Sequence, residues 1–114
     1  MLFIVTILFA LAALMGIAML VLHLRKRVVC LCYALTHLVL AAMGLAAFIT
    51  TVAQHGATGL LGQSLTLFCI AALGGFVMLA LRVRAKAPPA TLMLIHGLLA
   101  VAAFVILLTQ LPGA

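Results

Sequence analysis

Apolar residues run almost unbroken along this chain, and polar residues collect in a few short gaps. Four stretches are long enough to cross a bilayer as helices, which takes about 20 mostly apolar residues. Leu2–Leu22 is interrupted by Thr6 and Gly16. Val28–Ala53 carries Thr36, His37, Gly44, Thr50 and Thr51. Leu60–Leu81 opens on the polar Gln63, Ser64 and Thr66, and Ala90–Leu108 follows the Pro88–Pro89 pair, a helix-start signal. The pieces between them, Leu24–Arg27, Gln54–Gly59 and Arg82–Pro89, and the tail Thr109–Ala114, leave no room for a soluble domain.

The pattern repeats. Shifted by 59 residues, the first helix pair aligns with the second at 15 identical positions between residues 7 and 50, without a gap. Leu and Ala matches are cheap in this composition. More specific are Gly16 with Gly75, Met19 with Met78, Arg25 with Arg84, His37 with His96 and Thr50 with Thr109. Two spans per repeat keep both copies in one orientation, so the repeat is parallel about an axis along the membrane normal. The expected fold is all-α: a single transmembrane four-helix bundle over residues 1–114, with repeat 1 at about 1–55 and repeat 2 at about 60–114.

Charge orients the chain. It has six Lys or Arg and no Asp or Glu among its 114 residues. All six basic residues lie in two connections: Arg25, Lys26 and Arg27 after the first span, and Arg82, Arg84 and Lys86 after the third. The positive-inside bias puts both basic loops in the cytoplasm and both termini on the outer, periplasmic side of a multi-pass inner (plasma) membrane protein. The net charge of +6 is thus read as a topology signal in contact with anionic lipid, with no nucleic-acid face. The first span lacks a basic leader and a small-residue cleavage site, so it reads as a retained helix. Without carboxylates there is no acidic dyad, no Asp-oriented triad and no carboxylate site for Mg²⁺ or Ca²⁺. Chemistry is left to His, Cys, Met, hydroxyls, backbone or a bound cofactor.

His37 lies ten residues after Arg27 and His96 ten after Lys86. Both therefore sit about 15 Å inside the basic belt at the helical rise. Gly16 and Gly75, nine residues before Arg25 and Arg84, reach about 14 Å from the same belt. An ionisable residue at this depth is a functional-site hypothesis by default. Small residues follow each His on the same stripe: Ala41 and Gly44 after His37, Ala100 and Ala103 after His96. Such a stripe leaves room for something flat, and one haem b fits the donors. His37 and His96 would ligate the haem iron, Gly16 and Gly75 would approach the macrocycle, and Arg25 and Arg84 would pair with the propionates. The plainer reading makes the two His interhelical hydrogen-bonding groups and the small residues ordinary membrane packing. A third makes the two His ligands of another metal.

This layout resembles the cytochrome b subunit of quinol:cytochrome c oxidoreductases, over the whole chain and without a diagnostic local motif. There the second and fourth helices of a four-helix bundle carry His ligands, and the first and third carry haem-facing glycines. His37, His96, Gly16 and Gly75 stand on the matching helices. That family carries a second His on each ligand helix, about four turns further on. Thirteen residues beyond His37 and His96 stand Thr50 and Thr109, which do not ligate iron. The resemblance therefore implies one haem on the cytoplasmic side. The family's quinol-site motifs are absent.

Other groups read more plainly. Cys30, Cys32 and Cys69, with the methionines, are soft donors of the Cu(I) type, against apolar filler as the alternative. A disulfide is not expected for thiols facing the reducing side, and residues two apart on a helix point to different sides. His23 reads as an interfacial contact or a further propionate partner, His55 as solvated and Tyr33 as an interfacial belt residue. Gln63, Ser64 and Thr66 cap the third helix or line a small quinone site. The leading function is a membrane-bound b-type cytochrome that passes electrons within a larger complex, to a partner subunit or to quinone. It reads as an electron carrier or subunit more than a stand-alone enzyme. The alternatives are a cofactor-free structural or assembly subunit of a membrane complex and, further down, a small transporter. The transporter would lack the intramembrane Glu that couples protons in small multidrug carriers.

Overall fold

The structure, a computed structural model, describes residues 1–56 and 59–113. Ala57 and Thr58, in the expected connection between spans 2 and 3, and the final Ala114 lie outside the described residues. Regular structure among the described residues is entirely helical: α1 Leu2–Leu24, α2 Leu31–His55, α3 Gly59–Val83 and α4 Ala90–Thr109. All four are long and apolar enough to cross a membrane. The apolar surface continues around each helix. Leu14 and Leu73, equivalent in the two repeats, are 65% and 66% exposed. A helix apolar on every side suits lipid on one face and protein on the other.

The chain forms two compact units, Met1–His55 and Gly56–Ala114. In the first, α1 packs on α2; in the second, α3 packs on α4. Each is a helical hairpin whose turn is built the same way. In the first, the Arg27 N–H donates to the Leu22 carbonyl and the Lys26 N–H to the His23 carbonyl. In the second, Lys86 donates to Leu81 and Ala85 to Arg82. These paired bonds are the Schellman closure of a helix, which requires a left-handed residue at its hinge. Lys26 at φ 55° and Ala85 at φ 57° supply it.

This closure moves the expected helix boundaries. α1 and α3 run two residues further than the apolar runs predict, through Leu24 and Val83. α2 begins at Leu31, three residues after the expected Val28, because Val28, Val29 and Cys30 are used to reverse the chain. Pro89 caps α4 as expected, with extended backbone at φ −65° and ψ 142°.

Each hairpin buries one thin seam. In the first it holds Val5, Phe9, Ala12, Gly44, Phe48, Thr51 and Val52. The Phe9 ring meets Phe48 edge-on at 6.4 Å between centroids and lies over Gly44, where an added Cβ would stand 3.1 Å from the ring. In the second hairpin the seam holds Ser64, Phe68, Ala71, Ala103 and Leu107. The expected gap beneath His37 is therefore closed at Gly44 by the hairpin's own Phe9. At Ala103 the Ser64 hydroxyl closes in, donating to its carbonyl at 2.7 Å. Helix hydroxyls are satisfied internally: Thr6, Thr36, Thr50, Thr51 and Thr66 each donate to the carbonyl four residues back. That is what a hydrocarbon environment demands of a polar group.

Candidate functional site

Each hairpin holds one histidine in the same clasp. The His37 Nδ1 lies 2.7 Å from the Ala12 carbonyl oxygen, and the His96 Nδ1 lies 2.7 Å from the Ala71 carbonyl oxygen. Both bonds join residues 25 apart, and the second is the first moved along the chain by 59. A carbonyl oxygen only accepts, so each Nδ1 carries the hydrogen. The lone pair of a neutral ring then resides on Nε2.

The glycines explain how an imidazole reaches a helical carbonyl. Helical side chains lean toward the N-terminus, so the side chain at position i+4 covers the carbonyl of residue i. Gly16 is four residues after Ala12, and Gly75 four after Ala71. With no side chain there, the second lone pair of each carbonyl is open to the facing helix. The fit is close. A Cβ on Gly16 would stand 3.2 Å from His37 Cε1, and one on Gly75 would stand 3.2 Å from His96 Cε1 and 3.9 Å from its Nε2. Ala12 and Ala71 are themselves buried.

Gly16 and His37, and likewise Gly75 and His96, thus meet at one level within their own hairpin. The contact of each glycine is the edge of its own imidazole ring. Both histidines are half-buried, while Arg25 and Arg84 are exposed at the helix ends. The residues that sequence reasoning missed are Ala12 and Ala71. Their signal was present as Ala-x-x-x-Gly, a small-residue pair one turn apart on the helix facing each His.

The remaining candidates fall elsewhere. Gln63, Ser64 and Thr66 do not cap α3, which starts at Gly59. Ser64 bonds across to α4, Thr66 bonds within its own helix, and Gln63 is exposed. His55 ends α2, exposed, and His23 lies in the last turn of α1. Among the described residues no three His, Cys, Asp or Glu side chains gather to hold a metal ion. The expectation of unpaired thiols is corrected at one place: Cys30 and Cys32 are joined in a disulfide, while Cys69 in α3 is a free thiol. The helical objection to residues two apart does not apply, because Cys30 precedes the first helical residue of α2. The chain direction there brings the two Cα atoms to 5.2 Å, within the usual span of a disulfide.

Searches of protein-family models, curated proteins and solved structures find no match to the chain.

Proposed function

We propose that the protein is a b-type cytochrome of the membrane in which the imidazoles of His37 and His96 would hold one haem. The observation that carries this reading is the 2.7 Å contact of each ring Nδ1 with a backbone carbonyl oxygen. Metal-binding histidines almost always donate the other ring N–H to a carbonyl or carboxylate, which orients the ring and raises the basicity of the ligating nitrogen. Both histidines have that arrangement, once per hairpin, with Nδ1–H on a backbone carbonyl. The donor set fits haem: two imidazoles and no competing carboxylate anywhere in the chain. Arg25 and Arg84 have no acidic side chain in the chain to pair with, and propionates are partners of the right charge. When bound, haem would supply one-electron chemistry toward a quinone or a partner subunit. The chain's own part is to orient the imidazoles and exclude water.

In this reading the four helices cross the membrane, with the basic turns Arg25–Arg27 and Arg82–Lys86 on the cytoplasmic side and both termini outside. A second reading is favoured by the glycine contact. Gly16 and Gly75 make room for the imidazole of their own hairpin, which is enough to give His37 and His96 a purely architectural task. The protein would then be a cofactor-free subunit of a membrane complex.

A spectrum separates the two. The protein, expressed with haem available and purified in detergent, is expected to show the split α/β bands of low-spin bis-His haem on reduction. His37→Gln and His96→Gln keep an N–H for the carbonyl and should each remove that signature, while His55→Ala should retain it. A colourless wild-type protein under haem-replete conditions overturns the cytochrome reading and leaves the architectural one.

A further inference from the structure

The Cys30–Cys32 pair lies outside the histidine clasps and plays no part in the function proposed above. We propose that it is a reversible dithiol–disulfide site at the membrane surface, exchanging with low-molecular-weight thiols and disulfides. Four observations carry this. The two sulfurs are joined in the structure. Both residues are exposed, so a small thiol can reach them. The bond spans a single intervening residue, and stabilisation by a disulfide falls with the length of loop that it closes. A bridge this short, in a turn already closed by backbone bonds and a proline-free helix start, adds little to the fold. Finally, the surroundings favour negative charge on sulfur. The Cys32 N–H donates to Cys30 Sγ at 3.2 Å, the positive end of the α2 dipole lies there, and Arg25, Lys26 and Arg27 precede the pair. No acidic residue in the chain opposes them. Reactive cysteines occupy such electropositive, accessible settings.

The exchange balances as two steps. The Cys30 thiolate attacks one sulfur of a small disulfide, forming a mixed disulfide and releasing one thiolate. The Cys32 thiolate then attacks Cys30 Sγ, forming the intramolecular bond and releasing the second thiolate. The protein loses two electrons and two protons, and one small disulfide becomes two thiols. The reverse reaction restores the dithiol. Cys30 is the exchanging sulfur because the Cys32 N–H stabilises the charge that develops on it. On the cytoplasmic side assigned to this turn by the basic residues, disulfides are mostly transient and catalytic or redox-sensing, which suits a site that cycles.

The test uses the full-length protein in detergent, equilibrated with mixtures of reduced and oxidised glutathione, acid-quenched, alkylated and weighed intact. The expected result is a two-thiol transition from dithiol to disulfide as the mixture becomes oxidising. Cys69→Ser should leave that transition in place. In that Cys69→Ser background, Cys30→Ser and Cys32→Ser should each lose it completely, leaving a single thiol that takes up at most one glutathione. Circular dichroism of the variants is expected to match that of the wild type, since both side chains are exposed. A pair that stays oxidised in excess reduced glutathione is a structural bond and overturns the proposal. So does a pair that stays a dithiol in excess oxidised glutathione.

Discussion

A glycine can serve a helix by what it leaves uncovered, and Gly16 and Gly75 do so for the carbonyls of Ala12 and Ala71. The consequence is a contrast among glycines. Gly16→Ala and Gly75→Ala each place a methyl 3.2 Å from an imidazole carbon, and the ring cannot retreat without stretching its 2.7 Å bond to the carbonyl. Overpacking of this kind costs about 1–3 kcal/mol. At Gly97 on α4, a Cβ meets nothing within 4 Å among the described residues. Gly97→Ala should therefore stabilise by up to about 1 kcal/mol through helix propensity alone. Denaturing-detergent titration followed by circular dichroism checks both signs. The sequence made His37, His96 and the two glycines visible, because their spacing from the basic clusters is equal in both repeats. It did not show that each glycine serves its own hairpin's histidine, since equal depth is compatible with any partner at that depth.

At the scale of the element, the hairpin turn shows where local composition misleads. Apolar runs mark the helices well, but their ends are set by the Schellman bonds after Arg25 and Arg84. The hinge residues Lys26 and Ala85 carry no glycine signal, yet both adopt the left-handed conformation. A Cβ in that conformation is unfavourable, and glycine relieves it. Ala85→Gly, at an exposed position, is expected to stabilise the second hairpin by about 1 kcal/mol. It should raise the unfolding midpoint of the detergent-solubilised protein without altering its helical content. A lower midpoint would mean that the turn is held by the Ala85 side chain and not by its backbone. The same turn displaces the start of α2 to Leu31, and that displacement frees Cys30 from helical geometry and brings it to Cys32.

For the whole molecule, the physical problem is solvation. Exposed leucines such as Leu14, Leu73 and Leu98 have no place in water, and Thr6, Thr36, Thr50, Thr51 and Thr66 keep their hydroxyls on their own helix backbone. Six basic residues confined to two turns predict the orientation of the chain. Reporters fused to the C-terminus should read as external: an exported phosphatase active, a cytoplasmically folding fluorescent protein dark. Replacing Arg82, Arg84 and Lys86 by neutral residues removes half of the bias and should mix or invert that readout. If the wild-type C-terminus reports as cytoplasmic, the basic turns lie outside and the orientation is wrong.

The sequence by itself determined that this is an all-helical chain whose helices are long and apolar enough to span a membrane, that the second pair repeats the first, and that each pair carries one histidine and one glycine at equal depth. Those properties follow from hydropathy, period and charge, which act through local geometry and solvent alone. Tertiary structure decided the rest: the carbonyl that each imidazole holds, the tautomer this imposes, the filling of the Gly44 gap by Phe9, and the meeting of Cys30 with Cys32. Each of these depends on which atoms of two separate segments come within a few ångströms. That is fixed by side-chain packing across the hairpin seam and by the turn that aligns it, and neither is encoded in any single stretch of residues.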